Sequence, residues 1–235
     1  MNLKTRLTLM SFFQFYVWGA WLLTIGTYCL NAKGWSFPEF GAIFSTLALS
    51  SLFMPALTGI IADKWINAER LYGILHILYG LVLFYVPKVD DPDTLYYVIF
   101  GAMICYMPTI SLSNSISYTI LKRENYDVIK VFPPIRVFGT IGFIAAMWTT
   151  NLSGSKANGN QFIIAAVAAI ALGIYSFTLP QQTIEDWAQM TEYATWFRVV
   201  EAASSREKMR HYIGLAREER IRMDELVPIM RDSLR

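Results

Sequence analysis

One cation lies inside an apolar stretch of the chain, and its neighbours carry a hydroxyl and an aromatic ring. Arg136 is the only charged residue between positions 134 and 152. In a helix, Arg136, Thr140 and Phe143 share one stripe, because they are spaced at i, i+4 and i+7. These three groups could together hold a polar molecule that has a flat ring. Because a lone guanidinium in lipid is costly unless it faces water or a partner, we predict that the stripe faces a cavity.

Arg136 also has a structural interpretation, in which its long side chain reaches the cytosolic headgroups as an anchor. Pro133 and Pro134 predict that the helix starts there, because proline suits the first helical turn. This start places Arg136 just inside the edge of a hydrocarbon layer about 30 Å thick. A second stripe contains only small residues, which favour close approach by a neighbouring helix. Its members are Gly139, Gly142 and Ala146.

The composition divides the chain into two parts. Of its 235 residues, 54% are hydrophobic and 16% are charged, whereas soluble domains have about 25% charged residues. Residues 1–180 contain 11 Lys/Arg and 8 Asp/Glu, and residues 181–235 contain 9 and 10. We therefore predict a transmembrane bundle over 1–180 and a charged cytoplasmic helical tail over 181–235. The net charge of +2, with no basic run among aromatics, does not indicate a nucleic-acid partner.

Six apolar segments are long enough, or nearly so, to cross a bilayer. They are residues 7–30, 40–62, 71–86, 95–120, 134–152 and 161–179. The predicted fold class is all-α, a polytopic membrane protein with six transmembrane helices followed by a soluble helical tail. If the N-terminus is cytosolic, the inner connectors carry seven Lys/Arg and the outer ones three. Both termini are therefore predicted to be cytoplasmic.

Other polar residues in the apolar segments are candidates for either binding or packing. Gln14 and Asn114 are amides that could contact a ligand or hydrogen-bond between helices, and both explanations stay open. His76 has no second ligand nearby, so we predict a packed, hydrogen-bonded histidine. Cys29 and Cys105 lack metal-ligand spacing and are predicted to be small buried side chains. No catalytic arrangement, metal site or cofactor is predicted.

The connector after the second apolar segment carries alternating charge. Asp63 could accept a hydrogen bond from the N-terminus of another helix or pair with Arg70, and so latch the bundle in one conformation. Since such connectors are common, a purely structural role is the alternative. The residues of this candidate gating motif are Gly59, Asp63, Lys64 and Arg70.

Residues 1–180 resemble the amino-terminal half of the nucleoside:proton symporter family within the major facilitator superfamily. The resemblance implies that Arg136, Thr140 and Phe143 contact a nucleoside, and that nucleoside and proton cross a bacterial inner membrane. The connector at Asp63 resembles the rim motif shared across the superfamily. The matching stretches are Phe53-Met-Pro-Ala-Leu, Gly59-Ile-Ile-Ala-Asp-Lys-Trp65, Tyr106-Met-Pro-Thr109, Ile116-Ser-Tyr118, Phe132-Pro-Pro-Ile-Arg136 and Gly139-Thr-Ile-Gly-Phe143.

The chain departs from this family in length. Its members have twelve spans, whereas the apolar pattern here stops near residue 180, and residues 1–180 place no carboxylate deep in a span. We therefore expect a half-carrier with one wall of the nucleoside site. A second copy or a separate carboxy-terminal half would complete it and supply the proton-coupling acid. The alternative is a non-transporting six-helix module that anchors a cytoplasmic partner-binding tail.

Overall fold

The structure is a computed structural model and describes residues 2–180, apart from the side chains of Asp63 and Lys64. Within these residues all regular structure is helical, which confirms the all-α prediction for this part of the chain. The tail predicted over 181–235 lies outside the described residues. The helices are α1 (Leu3–Gly19), α2 (Ile25–Thr27), α3 (Phe37–Lys64), α4 (Ala68–Tyr85), α5 (Pro92–Arg123), α6 (Val128–Leu152) and α7 (Asn160–Ser176), with a π-helical turn at Tyr28–Ala32 and a 3-10 turn at Val86–Lys88.

Four helical segments of the described part are long and apolar enough to cross a bilayer. α1 and α7 are shorter, with 17 residues each. At 1.5 Å per residue, each covers about 26 Å of a hydrocarbon layer about 30 Å thick. The helices therefore indicate a membrane protein with fewer full-length spans than the six predicted. The four segments are Phe37–Ala62, Ala68–Lys88, Pro92–Arg123 and Val128–Leu152.

The first predicted span, residues 7–30, is wrong as a single continuous helix. α1 ends at Gly19, and residues 20–24 form turns before α2. The Thr150 hydroxyl of α6 donates to the Ala20 carbonyl at 2.8 Å. In a regular helix the Thr24 backbone N–H would donate to this Ala20 carbonyl. Here it donates to the Trp21 carbonyl at 3.0 Å. A neighbouring helix thus takes over a carbonyl that a regular helix would satisfy internally, and hydropathy cannot reveal such a contact.

The predicted start of the fifth span at Pro134 is also wrong. α6 begins at Val128, where the Asp127 side chain accepts a hydrogen bond from the Lys130 backbone N–H at 3.3 Å. Both prolines lie inside the helix, so the carbonyls of residues 129 and 130 lose their helical donors. Because Ile129 is 86% exposed, this end of the helix is open to solvent or headgroups. Arg136 therefore lies eight residues after Val128, about 12 Å inside α6.

Side-chain caps fix the starts of α3 and α5. Glu39 Oε2 accepts from the Ser36 N–H at 2.7 Å, and Ser36 Oγ accepts from the Glu39 N–H at 3.5 Å, which completes a capping box. Asp91 caps α5 by accepting from the Thr94 backbone N–H at 2.7 Å. This hydrogen bond lowers the pKa of the Asp91 carboxyl, because it stabilises the charged form.

Two apolar clusters show that successive long helices run in opposite directions. One cluster joins the starts of α1, α4 and α6 to the ends of α3, α5 and α7. Helix starts and helix ends meet at one end of a bundle only when the helices alternate. The second cluster, at the other end, is built around Trp21, Tyr79, Tyr106 and Phe162. The cluster that joins these helix starts and ends includes Leu7, Ala62, Tyr72, Ile120, Ile135 and Leu172.

α1 and α6 approach each other so closely that glycine is needed on both helices. Gly139, Gly142 and Ala146 are all buried, which confirms the predicted small-residue stripe. A Cβ on Gly142 would overlap the carbonyl oxygen of Phe12. A Cβ on Gly19 would lie 2.6 Å from the carbonyl oxygen of Phe143. Each glycine thus makes room for the other helix's backbone, which fixes α1 against the face that carries Arg136.

We predict that Gly142→Ala destabilises the bundle by about 1–3 kcal/mol, because an added methyl overpacks a tight helix contact. Gly101→Ala is the matched control, since a Cβ at Gly101 in α5 meets nothing within 4 Å. The control is expected to be neutral, or to gain up to about 1 kcal/mol in helix propensity. Thermal unfolding of the detergent-solubilised chain measures both. Equal melting temperatures would contradict backbone contact between α1 and α6.

Candidate functional site

Arg136 lies well inside α6, and its guanidinium packs against α1. Its Cζ is 3.9 Å from the centroid of the Phe15 ring. Its Nη1 lies beside Gly139, further along α6 than Arg136 itself. The guanidinium is thus directed away from the N-terminal end of α6, whereas an anchor to the headgroups would extend toward that end. The residue is half-buried, and it forms no hydrogen bond or ion pair with any side chain that the structure describes.

Thr140 and Phe143 continue the Arg136 face, because α6 is one uninterrupted helix from Val128 to Leu152. Thr140 is exposed, and its hydroxyl has no hydrogen-bond partner within residues 2–180. The Phe143 ring is half-buried and meets the Trp18 ring edge-on, with centroids 6.3 Å apart. The face therefore presents a cation, a hydroxyl and a ring in order along the helix, as the spacing predicted.

Gln14 is the centre of a buried hydrogen-bond network that joins three helices. Its Nε2 donates to Thr109 Oγ1 at 2.8 Å, and its Oε1 accepts from the Tyr72 hydroxyl at 2.6 Å. The Tyr106 hydroxyl donates to the Gln14 backbone carbonyl at 2.7 Å. With 0% of its surface exposed, the side chain is already bound within the bundle. Of the two explanations left open by the sequence, this geometry favours interhelical hydrogen bonding.

Asn114, the other candidate amide, has different surroundings. It lies on α5 and is half-buried. Its side chain forms no hydrogen bond inside the part of the chain that the structure describes. No hydrogen bond between described residues joins it to Arg136, Thr140 or Phe143. Its predicted contact with a ligand stays a prediction.

His76 is packed and hydrogen-bonded, as predicted. It is fully buried in α4, and its Nδ1 is 3.0 Å from the Tyr72 carbonyl oxygen. Because a carbonyl only accepts, Nδ1 carries the proton in this contact. The imidazole also lies against the Tyr72 ring, with centroids 4.3 Å apart. Cys29 is buried, Cys105 is half-buried, and both are free thiols.

Comparison with known proteins identifies the family. Residues 1–200 match the sequence profile of the nucleoside H+ symporters. The chain belongs to the nucleoside H+ symporter family. This confirms the resemblance found in the sequence, and the match continues past the boundary predicted at residue 180.

The curated relatives of this symporter-family chain are considerably longer than it is. The xanthosine permease of Escherichia coli (strain K12) is 40% identical over 195 residues, which are 83% of this chain and 47% of the permease. Nucleoside permease NupG of the same organism is 40% identical over 196 residues, covering 81% of this chain and 47% of the relative. This chain thus spans about half the length of the curated relatives that it matches.

A solved transporter structure shares the fold of this family member. The crystal structure of nucleoside transporter NupG superposes with a TM-score of 0.77 at 36% sequence identity. The superposition covers 91% of this chain and 53% of that chain. The crystal structure of the NupG D323A mutant gives a TM-score of 0.75 at 34% identity.

The candidate gating motif of this symporter-family chain lies where α3 gives way to α4. Gly59 is inside α3, and a Cβ there would meet nothing within 4 Å, so no described helix requires a glycine at this position. Asp63 and Lys64 end α3, with their side chains outside the description, and Arg70 is exposed in the first turn of α4. Beside it, Glu69 is only 1% exposed.

The aromatic partners of the site come from α1, and the sequence interpretation did not assign them a site role. Phe15 underlies Arg136, and Trp18 meets Phe143. Because Phe15 and Trp18 are spaced at i, i+3, they share one helical face. The aromatic richness of α1 was the available signal. It does not show which rings face α6, since that depends on a contact between residues about 120 positions apart.

We predict that Gln14→Leu destabilises this symporter-family chain, because it leaves the buried Tyr72 hydroxyl without its acceptor. The Thr109 hydroxyl loses the amide donor but keeps its hydrogen bond to the Tyr106 carbonyl. Each unsatisfied buried group costs about 1–3 kcal/mol. Asn114→Leu is the matched control, since it removes a half-buried amide that has no hydrogen bond to a described residue. The melting temperature in detergent is expected to fall for Gln14→Leu and to change little for Asn114→Leu. The reverse order would show that the network does not stabilise the fold.

Proposed function

We propose that this chain acts in nucleoside transport by proton symport, as one half of a secondary carrier in a bacterial inner membrane. The observation that carries the proposal is the state of Arg136. Its guanidinium belongs to a helix long and apolar enough to cross a membrane, and it forms no ion pair with a described residue. Isolated charges within membrane spans are usually functional, because their burial without a partner is costly. A nucleoside would supply the missing acceptors.

The chemistry of the face matches the parts of a nucleoside. The Arg136 guanidinium can donate to a sugar hydroxyl or to a base carbonyl, and the Thr140 hydroxyl can both donate and accept. The Phe143 ring offers an apolar surface for a planar base. Each of the three side chains is exposed or half-buried. These groups would form one wall of the site, with Gln14 contributing through the packing of α1 and Asn114 as a further candidate contact.

The proposed architecture is a six-helix half bundle with both termini in the cytosol. The broken segment from α1 to the π-helical turn would form the first span, and α7 the sixth, with the four long segments between them. The residues beyond 180 would form a soluble helical tail. At the cytosolic rim, Gly59, Asp63, Lys64 and Arg70 would act as a gating motif, with the Asp63 carboxylate accepting from a helix N-terminus or from Arg70.

Completion of the carrier requires a second wall and a proton-coupling acid. The described carboxylates lie in connectors or in the end turns of helices, so the proposal assigns coupling to a second six-helix half. A second copy of this chain or a separate carboxy-terminal half would supply it. α3 and α6 are the least covered long helices. Of the most apolar 18-residue stretch of each, 17% is buried, compared with 50% for α5. Their exposed apolar faces can meet lipid or another half.

We predict that Arg136→Ala abolishes nucleoside binding and leaves expression intact. Loss of each hydrogen bond from a charged donor costs about 1.5–3 kcal/mol, which corresponds to about 10- to 150-fold in Kd. Equilibrium binding of labelled uridine to the purified chain measures the effect. Lys156→Ala removes an exposed cation from the connector before α7 and is the control. Unchanged binding in Arg136→Ala would make the arginine a structural anchor.

We predict saturable, proton-driven uptake of labelled uridine once the second half is present. Membrane vesicles would hold this chain alone, or this chain together with the unmatched half of the E. coli xanthosine permease, under an inward proton gradient. Uptake by the chain alone would indicate that two copies complete the carrier. Uptake only in the mixture would indicate a separate half. No saturable uptake in either preparation would overturn the transport proposal.

Deletion of residues 181–235 separates transport from the alternative function. If the chain is a non-transporting module that anchors a partner-binding tail, capture of a cytosolic partner is lost on deletion. Nucleoside binding persists in the deleted chain if residues 1–180 hold the site. Binding that disappears with the tail would place part of the site in residues 181–235.

A further inference from the structure

The contact between Arg136 and Phe15 is the closest association that the structure gives the guanidinium. Cζ lies over the ring, 3.9 Å from its centroid. Phe15 is 9% exposed and belongs to α1. The ring is therefore held inside the bundle, and the Arg136 guanidinium packs against it. A cation over an aromatic face is stabilised by the negative potential of the ring.

Gly139 keeps the space that this stack needs. A Cβ at position 139 would lie 2.6 Å from Phe15 Cδ2 and 2.8 Å from Arg136 Nη1. Any side chain there would push against both members of the stack. Gly139 is one turn beyond Arg136 on the same helix. Two helices thus fix the guanidinium: α1 contributes the ring, and α6 contributes the arginine and the gap.

A stacked guanidinium keeps its donors available. A phenylalanine ring has no oxygen or nitrogen atom to accept an N–H, and Arg136 donates no hydrogen bond to a described residue. A carboxylate partner would instead occupy the N–H groups and neutralise the charge. Stacking therefore stabilises the charge in a poorly hydrated place without using the hydrogen bonds that a ligand needs. No described carboxylate competes for them.

We propose that Phe15 is a positioning residue that holds the Arg136 guanidinium for the ligand through a cation–π contact, with Gly139 providing the space. This inference rests on the proposed function, because the ligand is taken to be a nucleoside. Phe15 itself lies beneath the cation and contacts the ligand only through it. Its contribution to affinity thus depends on the electron density of the ring, since the ring acts through the charge that it faces.

Fluorinated phenylalanines at position 15 test this dependence. Substitution with one, two and three fluorines, by nonsense suppression in the full chain, withdraws electron density from the ring face and changes its shape little. The Kd for labelled uridine is expected to rise stepwise, by about 2- to 30-fold across the series. The same series at Phe13, a half-buried ring of α1 packed on Phe12 and Tyr16, is expected to leave Kd unchanged. A merely structural ring would give no such trend.

Two further measurements separate the outcomes. A chain that binds uridine with a Kd indifferent to fluorination at Phe15 overturns the positioning role and leaves the proposed function standing. If the natural chain binds no uridine even together with the second half used in the uptake assay, both proposals are overturned. A double-mutant cycle of Phe15→Leu and Arg136→Met, followed by thermal unfolding, tests the contact without any ligand. Non-additive melting temperatures support the stack, and additive ones overturn it.

Discussion

The close approach of α1 to α6 is the contact on which the rest of the site depends. Lipid chains are as apolar as leucine, so helices in a membrane associate through close packing and hydrogen bonds. Gly19 and Gly142 let the two backbones touch, and the Thr150 hydroxyl binds the Ala20 carbonyl across the same interface. Phe15 reaches Arg136 and Trp18 reaches Phe143 only at this separation. The glycines therefore determine which aromatic rings of α1 face the ligand side of α6.

Gln14 and Phe15 are neighbours on α1 and interact with polar groups in two different ways. Gln14 directs its amide into the bundle, where Tyr72 and Thr109 bind it and leave no exposed surface. Phe15, about 100° around the helix, instead supports a charge whose N–H groups have no described acceptor. The first arrangement stabilises one packing of three helices. The second leaves hydrogen-bonding capacity open, which is the property required of a site that must bind and release a solute.

The type of support also matters for a carrier. An acid beside Arg136 would stabilise the guanidinium strongly, and a ligand would then have to compete with a permanent ion pair. An aromatic face contributes about 0.5–2 kcal/mol, enough to hold the cation in place without saturating it. The described acids lie away from the middle of the helices, and Glu69 is buried in the first turn of α4, where the helix dipole favours an anion.

Helical periodicity alone determined the Arg136, Thr140 and Phe143 stripe and the small-residue stripe beside it. These features are local, because each depends on residues within two turns of one another. Tertiary contacts decided the rest. The break after Gly19 requires a hydroxyl from α6, the partners of Gln14 come from α4 and α5, and the ring under Arg136 comes from α1. The early start of α6 was the exception, since the cap at Asp127 is local and the two prolines concealed it. Sequence spacing fixes which side chains share a helix face, whereas only the packed bundle fixes what that face meets.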